Sequence, residues 1–144
     1  MDVCRRNGVY VIADEIHHDL IMPGHRQITA AATGDYDSIL ITLTSASKTF
    51  NLASCQNAMA IIPNDALRAK YDAMTRRIKT QSGSSFGYVA YEAAFRGGKE
   101  WLEQAIRLIY GNYQILVKGL KQKLPEAVVS PLEGTYLAWV DLNA

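Results

Sequence analysis

The sequence predicts an α/β fold. Three compact runs of apolar residues are separated by polar segments, and each run is apolar on both alternating faces. Strands of this kind suit a parallel or mixed sheet that is covered on both sides. After the third run, the apolar residues recur at helical spacing instead. The three predicted strands are residues 9–13, 39–44 and 58–62.

Helices dominate the second half of the prediction. Asn64 or Asp65 can cap a first helix, and apolar residues then recur every three or four positions up to Ile78. A second helix is predicted over residues 88–95, and a long third helix from near Lys99 to just before Pro125. Residues 2–7 resemble the end of a helix. Residues 135–142 are typical of a strand, with Tyr136 and Trp139 predicted to lie in the core.

Composition limits the classes of function. The chain has 144 residues, enough for one modest core, and its net charge of +1 gives no indication of nucleic acid or anionic membranes as partners. The apolar runs are too short to span a bilayer, and the charged N-terminal residues do not resemble a signal peptide. Cys4 and Cys55 do not suggest a disulfide framework, so a cytoplasmic protein is expected. Cys55 is interpreted as a packing residue rather than a reactive thiol.

The predicted elements also suggest an incomplete fold. Three strands that are followed mostly by helices leave one face and both edges of a sheet without partners. The chain ends two residues after the last predicted strand. We therefore expect a piece of a longer protein, in which Met1 is an internal methionine.

Two polar motifs follow predicted strands. Asp14 comes directly after the first, and a buried strand that ends in an acid marks a place where α/β folds bind ligands. Lys48 follows the second strand and is preceded by Ser45 and Ser47, whose hydroxyls suit a phosphate site. A lysine with a lowered pKa can form a Schiff base with an aldehyde, and an acid can keep a pyridine ring protonated. Together, Asp14 and Lys48 match the needs of an aldehyde cofactor with a pyridine ring.

These motifs resemble those of the fold-type I pyridoxal-phosphate (PLP) enzymes, the aspartate aminotransferase superfamily. Within the class I/II aminotransferase group, the chain is most similar to cystathionine β-lyase-like C–S lyases. The resemblance covers essentially the whole chain, which corresponds to well under half of a family member. It rests on three segments, residues 11–20, 45–53 and 133–141.

The resemblance implies a role for each site residue. Lys48 forms the Schiff base with PLP and then moves the Cα proton of the substrate as general base. Asp14 pairs with the pyridinium nitrogen, and Ser45 and Ser47 lie near the cofactor phosphate. His17 stands where many aminotransferases carry a tyrosine that contacts the ring oxygen of the cofactor, as expected in the C–S lyase branch.

Two departures from the family pattern qualify the comparison. Gln56 stands eight residues after the lysine, where aminotransferases often place an arginine that clamps the phosphate. This departure argues mildly against an ordinary aspartate-type transaminase. The resemblance also implies that a phosphate loop and a ring-stacking aromatic precede Met1, and that the carboxylate-binding arginine follows Ala144. The cofactor and substrate sites of this chain alone are therefore expected to be incomplete.

Two rival interpretations are less favoured. Residues 45–48 match the S-x-x-K motif of serine β-lactamases, but that motif opens a helix and the chain has no S-D-N or K-T-G partner. His17, His18 and His25 could suggest a metal site, although neighbouring histidines point in different directions and no further ligand completes a tetrahedral set. No metal is predicted, and His18 and His25 are interpreted as surface or packing residues.

The sequence therefore predicts part of a PLP-binding large domain over residues 1–98, then a linking helix and the start of an α+β small domain over residues 99–144. The predicted reaction is α,β-elimination on a cystathionine-like amino acid, with transamination as the alternative. A truncated piece that only folds and self-associates, with no catalysis, is equally compatible with the isolated chain. A homodimer is expected, with residues 83–87 near its interface.

Overall fold

The computed structural model describes residues 1–80 and 82–143. In this part of the chain, strands and short helices come first, three longer helices follow, and two short strands end the order. The elements are α1 (Asp2–Arg6), β1 (Val11–Asp14), β2 (Leu40–Thr44), α2 (Ala46–Thr49), β3 (Met59–Ile61), α3 (Asp65–Arg77), α4 (Ser85–Gly97), α5 (Lys99–Lys123), β4 (Val128–Val129) and β5 (Val140–Asp141). Short 3-10 turns cover Ala30–Thr33 and Ala53–Cys55.

The main sheet is mixed and has the order β1-β2-β3. β1 runs parallel to β2, in a register that pairs Val11 with Leu40 and Asp14 with Leu43. β3 lies on the other side of β2 and runs antiparallel to it, with Ala60 opposite Leu43. The mixed α/β fold that the sequence predicts is therefore confirmed.

The sheet is only partly covered. β2 is its central strand and alternates buried with half-buried residues, and Leu40 is among the most buried side chains of the molecule. The outer strands are more open: Ile12 of β1 is 65% exposed, and Met59 and Ile61 of β3 are also exposed. The exposure of these strands agrees with the prediction that one face and both edges of the sheet lack partners.

The loop after β1 contributes much of the core. Leu20 and Met22 are almost fully buried. Their backbone groups also form hydrogen bonds with a distant segment. Met22 N–H donates to Glu133 C=O at 3.0 Å, and Thr135 N–H donates to Leu20 C=O at 2.7 Å. The chain that follows α5 is thereby attached to the loop that follows Asp14.

Local hydrogen bonds set the helix boundaries. The Asn64 side chain accepts a hydrogen bond from Leu67 N–H at 2.9 Å and caps α3, as its position predicts. α4 begins at Ser85, three residues earlier than predicted, because Ser84 provides its N-cap. α5 ends at Lys123, shortly before Pro125, in agreement with the prediction.

The predicted strand over residues 135–142 is mostly wrong. Only Val140–Asp141 forms a strand, and it pairs with β4, which the sequence did not indicate. Thr135 has a φ of 64°, outside the extended region, and its hydroxyl accepts a hydrogen bond from Leu137 N–H at 3.0 Å. This turn interrupts the alternation, so Trp139 is 76% exposed and Tyr136 is also exposed, not in the core.

A surface cluster holds α1 to the loop before β2. The Tyr36 hydroxyl donates to Asp2 Oδ1 at 3.0 Å, and Arg5 lies over the Tyr36 ring. The hydrogen bond to the Asp2 carboxylate is the main cause that raises the pKa of Tyr36.

None of the helices in the described ranges is long and apolar enough to cross a membrane. Both cysteines are free thiols.

Candidate active site

Asp14 is the last residue of β1. Glu15 N–H continues the ladder by donating to Leu43 C=O at 2.8 Å, so the strand keeps its alignment up to the acid. The Asp14 side chain is exposed, and its Oδ1 accepts a hydrogen bond from Ile16 N–H at 3.2 Å. That bond turns the chain away from the sheet and leaves the other carboxylate oxygen accessible.

Lys48 lies on α2, one turn of helix that starts immediately after β2. Ser45 is the N-cap, and its Oγ accepts a hydrogen bond from Ser47 N–H at 3.0 Å. The S-x-x-K segment therefore does open a short helix. The expectation that it does not is wrong, and the helical context no longer excludes the β-lactamase interpretation. The absence of its S-D-N and K-T-G partners from the sequence still counts against it.

Asp14 and Lys48 lie at the same edge of the sheet. β1 and β2 are parallel neighbours, so the carboxyl ends of both strands face the same direction. Neighbouring strands are about 4.8 Å apart, which places the start of the two loops within reach of one small ligand. The structure therefore brings these two predicted site residues together at one sheet edge.

A cavity of about 260 Å³ opens beside Lys48. Ser47 and Thr49 line it from α2, and Trp101 and Tyr136 from the later part of the chain. Among the described residues, the Lys48 amine has neither an ion-pair partner within 4.0 Å nor a hydrogen-bond partner. An amine with no internal partner beside a cavity can react with a bound molecule.

The two serines have different surroundings. Ser47 lines the Lys48 cavity. Ser45 is buried, and its hydroxyl contacts the Asn57 carbonyl oxygen at 2.7 Å and the Tyr91 hydroxyl at 2.5 Å. Ser47 is therefore the more accessible of the two hydroxyls, while Ser45 belongs to a buried polar cluster under α2.

His17 lies in the loop after Asp14 and packs against Tyr136. Their ring centroids are 5.3 Å apart in an edge-to-face arrangement. The Nδ1 atom of His17 is buried and has no hydrogen-bond partner among the described residues. A buried imidazole nitrogen without a partner is costly, and such an atom calls for an explanation such as a missing ligand. His17 thus connects the Asp14 loop to a residue that lines the Lys48 cavity.

The sequence prediction missed the cavity walls. Trp101 and Tyr136 border the cavity, although one was assigned only to a helix and the other to the core. It also missed two polar contacts of the loop after Asp14: His18 contacts Thr44 of β2, and Asp19 contacts Thr49 of α2. These residues lie within or next to the two motifs. Conversely, no group of three or more metal-ligating side chains occurs within residues 1–80 and 82–143.

Comparison with known proteins identifies the family. The model of the family described as aminotransferase class I and II matches residues 1–144.

The chain belongs to the class I and II aminotransferase family.

Relatives within this family include C–S lyases. The chain is 35% identical over 144 residues to the cystathionine beta-lyase PatB of Bacillus subtilis, covering 99% of this chain and 37% of that protein. It is 34% identical over 145 residues to the MalY protein of Escherichia coli, covering 99% of this chain and 36% of that protein. The predicted likeness to cystathionine β-lyase-like proteins is thereby confirmed.

A solved structure extends the likeness to three dimensions. The PLP-bound C–S lyase from Staphylococcus hominis matches with a TM-score of 0.88 and 34% identity, covering 98% of this chain and 35% of that one. The chain therefore spans little more than a third of the length of the relatives it matches. The matched third has the fold of fold-type I PLP enzymes.

Proposed function

We propose that the complete protein is a PLP-dependent C–S lyase that catalyses α,β-elimination on cystathionine-like amino acids. One observation carries this proposal: Asp14 and Lys48 follow neighbouring parallel strands at the same edge of the sheet, and Lys48 lines a cavity, in a chain whose relatives include cystathionine β-lyases. The activity, the substrate and the cofactor of the complete protein all rest on this inference.

The residues present fit PLP. Lys48 offers an amine with no partner among the described residues, and Asp14 offers a carboxylate oxygen for a pyridinium nitrogen. The buried His17 Nδ1 has a free position for a polar ligand atom. When bound, PLP supplies an electron-withdrawing ring that stabilises negative charge at the substrate Cα. Asp14 holds the ring nitrogen in the protonated form on which this effect depends.

Lys48 has two roles in the proposed mechanism. Its amine would hold the cofactor covalently, and when free it would remove the proton from the substrate Cα. The one-turn helix α2 fixes the lysine at the end of β2, which keeps the amine close to the reacting carbon. Trp101 and Tyr136 line the same cavity and limit the access of water.

The remaining site residues orient the cofactor. Ser47, on the cavity wall, would donate to a phosphate oxygen, and the Ser45 hydroxyl supports it by a hydrogen bond to the Ser47 hydroxyl at 2.9 Å. His17 would contact the ring substituents of the cofactor from the Asp14 loop. In this scheme Lys48 is the catalytic residue, and Asp14, His17, Ser45 and Ser47 bind the cofactor.

Transamination is the alternative reaction, since the family that contains this chain is described by that activity. The complete protein, loaded with PLP, is given cystathionine in one assay and an amino acid with a keto acid in another. Release of a thiol with pyruvate and ammonia supports the lyase. Exchange of the amino group, with no thiol released, contradicts it and favours the aminotransferase. If neither reaction occurs, the result supports the remaining alternative, a chain that folds and self-associates without catalysis.

Further proposals concern the complete molecule. We infer a cytoplasmic homodimer in which residues 83–87 approach the partner, in keeping with Phe86, which is 86% exposed at the start of α4. The chain divides at residue 98 into part of the large domain and the beginning of the small domain. Sedimentation of the complete protein as a monomer would contradict the proposed dimer.

A further inference from the structure

A chain of polar contacts joins the loop after Asp14 to the helix that carries Lys48. His18 Nδ1 lies 2.6 Å from the Glu15 carbonyl oxygen and 3.0 Å from the Thr44 hydroxyl. His18 Nε2 lies 3.2 Å from Asp19 Oδ1. The other oxygen of that carboxylate accepts a hydrogen bond from the Thr49 hydroxyl at 2.9 Å. Thr49 follows Lys48 directly, so the contacts end beside the proposed catalytic lysine.

The contacts hold the His18 ring in one position. Nδ1 lies within hydrogen-bond distance of the Glu15 carbonyl oxygen, which only accepts, and of the Thr44 hydroxyl, which can donate or accept. Nε2 faces the Asp19 carboxylate at 3.2 Å. The ring is therefore held between β2 and the carboxylate that Thr49 binds.

Burial gives this arrangement its effect on α2. Thr49 is 1% exposed, so its bond to Asp19 is shielded from water. The side chains of His18 and Asp19 are 30% and 29% exposed, which places them at the border between the buried Thr49 and solvent. The contact between His18 Nε2 and Asp19 at this border restricts the orientation of the carboxylate that Thr49 binds.

We propose that His18 is a positioning residue, which holds the Asp19 carboxylate against Thr49 and thereby fixes the turn of α2 that presents Lys48. The consequence for catalysis rests on the proposed function, in which Lys48 moves a proton. The mechanical link from His18 to α2 does not depend on it. The aspartate is the essential intermediate, because His18 acts on α2 only through that carboxylate.

Few other charged groups face the His18 ring. On its own loop, Asp19 is its only ion-pair partner within 4.0 Å among the described residues. The nearby Glu15 side chain is directed elsewhere, since its Oε1 accepts from Ala30 N–H at 2.7 Å. From β2, the contact is the neutral Thr44 hydroxyl.

Amide hydrogen exchange of residues 46–50 in the complete protein tests the link. His18→Gln keeps a polar side chain but removes the ring that faces Asp19, and it should accelerate exchange in α2 about tenfold, on the scale of one lost polar contact. His25→Gln is the matched control. His25 is an exposed histidine 3.8 Å from the Glu133 carboxylate, and replacing it should leave exchange in α2 unchanged.

A double-mutant cycle separates positioning from general loss of stability. Because His18 and Thr49 act through the same carboxylate, His18→Gln and Thr49→Val should have less than additive effects on α2 exchange.

The outcomes are decisive in each case. Accelerated exchange in α2 and non-additive effects with Thr49 support the proposal. Unchanged exchange in His18→Gln, or additive effects of the two substitutions, overturns it. If His18→Gln does not fold, Thr49→Val still decides, since unchanged exchange in α2 of that variant contradicts the link through Asp19. None of these readouts measures catalysis, so failure of the proposed function would be recognised separately.

Discussion

At the scale of single residues, Asp14 and Lys48 are marked by their positions along the chain. Each follows an apolar run, and the parallel pairing of β1 and β2 brings the ends of both runs to one edge of the sheet. The sequence could not indicate burial, however. Ser45 and Ser47 look equivalent in the motif, but Ser45 lies in a buried cluster with Asn57, whereas Ser47 borders the cavity.

Asp14→Asn tests the proposed partner of the pyridinium nitrogen. The amide keeps the shape of the side chain but removes the negative charge that holds the ring nitrogen protonated. We expect the lyase activity of the complete protein to fall by a factor on the order of 10² to 10³, the usual cost of removing one electrostatic contact from an active site. Steady-state kinetics with saturating PLP measure the loss.

Glu15→Gln is the control for that substitution. Its amide oxygen can still accept the hydrogen bond from Ala30 N–H, so the loop should keep its conformation although one acid is lost. Activity should stay within a few-fold of the wild type. Equal losses in the two variants would show that Asp14 has no special role in binding the cofactor.

At the scale of secondary-structure elements, prediction succeeded where the signal is local. Asn64 caps α3 and a stripe of apolar residues runs along α5, and both features can be seen in the sequence alone. Prediction failed for residues 135–142 because two-residue strands depend on their pairing, here between β4 and β5. The left-handed Thr135 that interrupts the alternation is a conformation that threonine rarely adopts.

Phe50 joins three helices near the site. It lies two residues after Lys48, and its ring is 5.8 Å from Phe95 of α4 and 6.0 Å from Trp101 of α5, measured between centroids. Gly98, between those helices, leaves room for it: a Cβ there would clash with the Phe50 ring and with the backbone oxygen of Ala94. The packing of α2, and with it the position of Lys48, depends on the absence of a side chain at residue 98.

Gly98→Ala should therefore destabilise the protein. The new methyl group would displace the Phe50 ring or shift the backbone of α4, and overpacking of this kind costs about 1–3 kcal/mol. Gly111→Ala is the matched control, because a Cβ at Gly111 in the interior of α5 meets nothing within 4 Å. That variant should gain about 0.5–1 kcal/mol from helix propensity.

Urea denaturation of both variants compares the free energies of unfolding. Opposite signs for the two substitutions support the account of Phe50. An unchanged or increased stability of Gly98→Ala would show that the ring moves aside at no cost, and that residue 98 does not control the packing of α2.

At the scale of the whole molecule, the chain combines the proposed site with much uncovered apolar surface. Ile12, Met59 and Ile61 of the main sheet are exposed, as are Phe86 and Val89 of α4. The chain also spans little more than a third of its relatives. Composition and periodicity predicted this shortage of partners, because a three-strand sheet cannot bury strands that are apolar on both faces.

The central claim, that Lys48 is the residue that bonds PLP, has a direct test. The complete protein is incubated with PLP, reduced with borohydride, digested and mapped by mass spectrometry. The account predicts a phosphopyridoxyl label on the peptide that contains Lys48, and no label in Lys48→Arg, which keeps the charge but offers no primary amine. A label on another lysine, or one that persists in Lys48→Arg, would contradict the account.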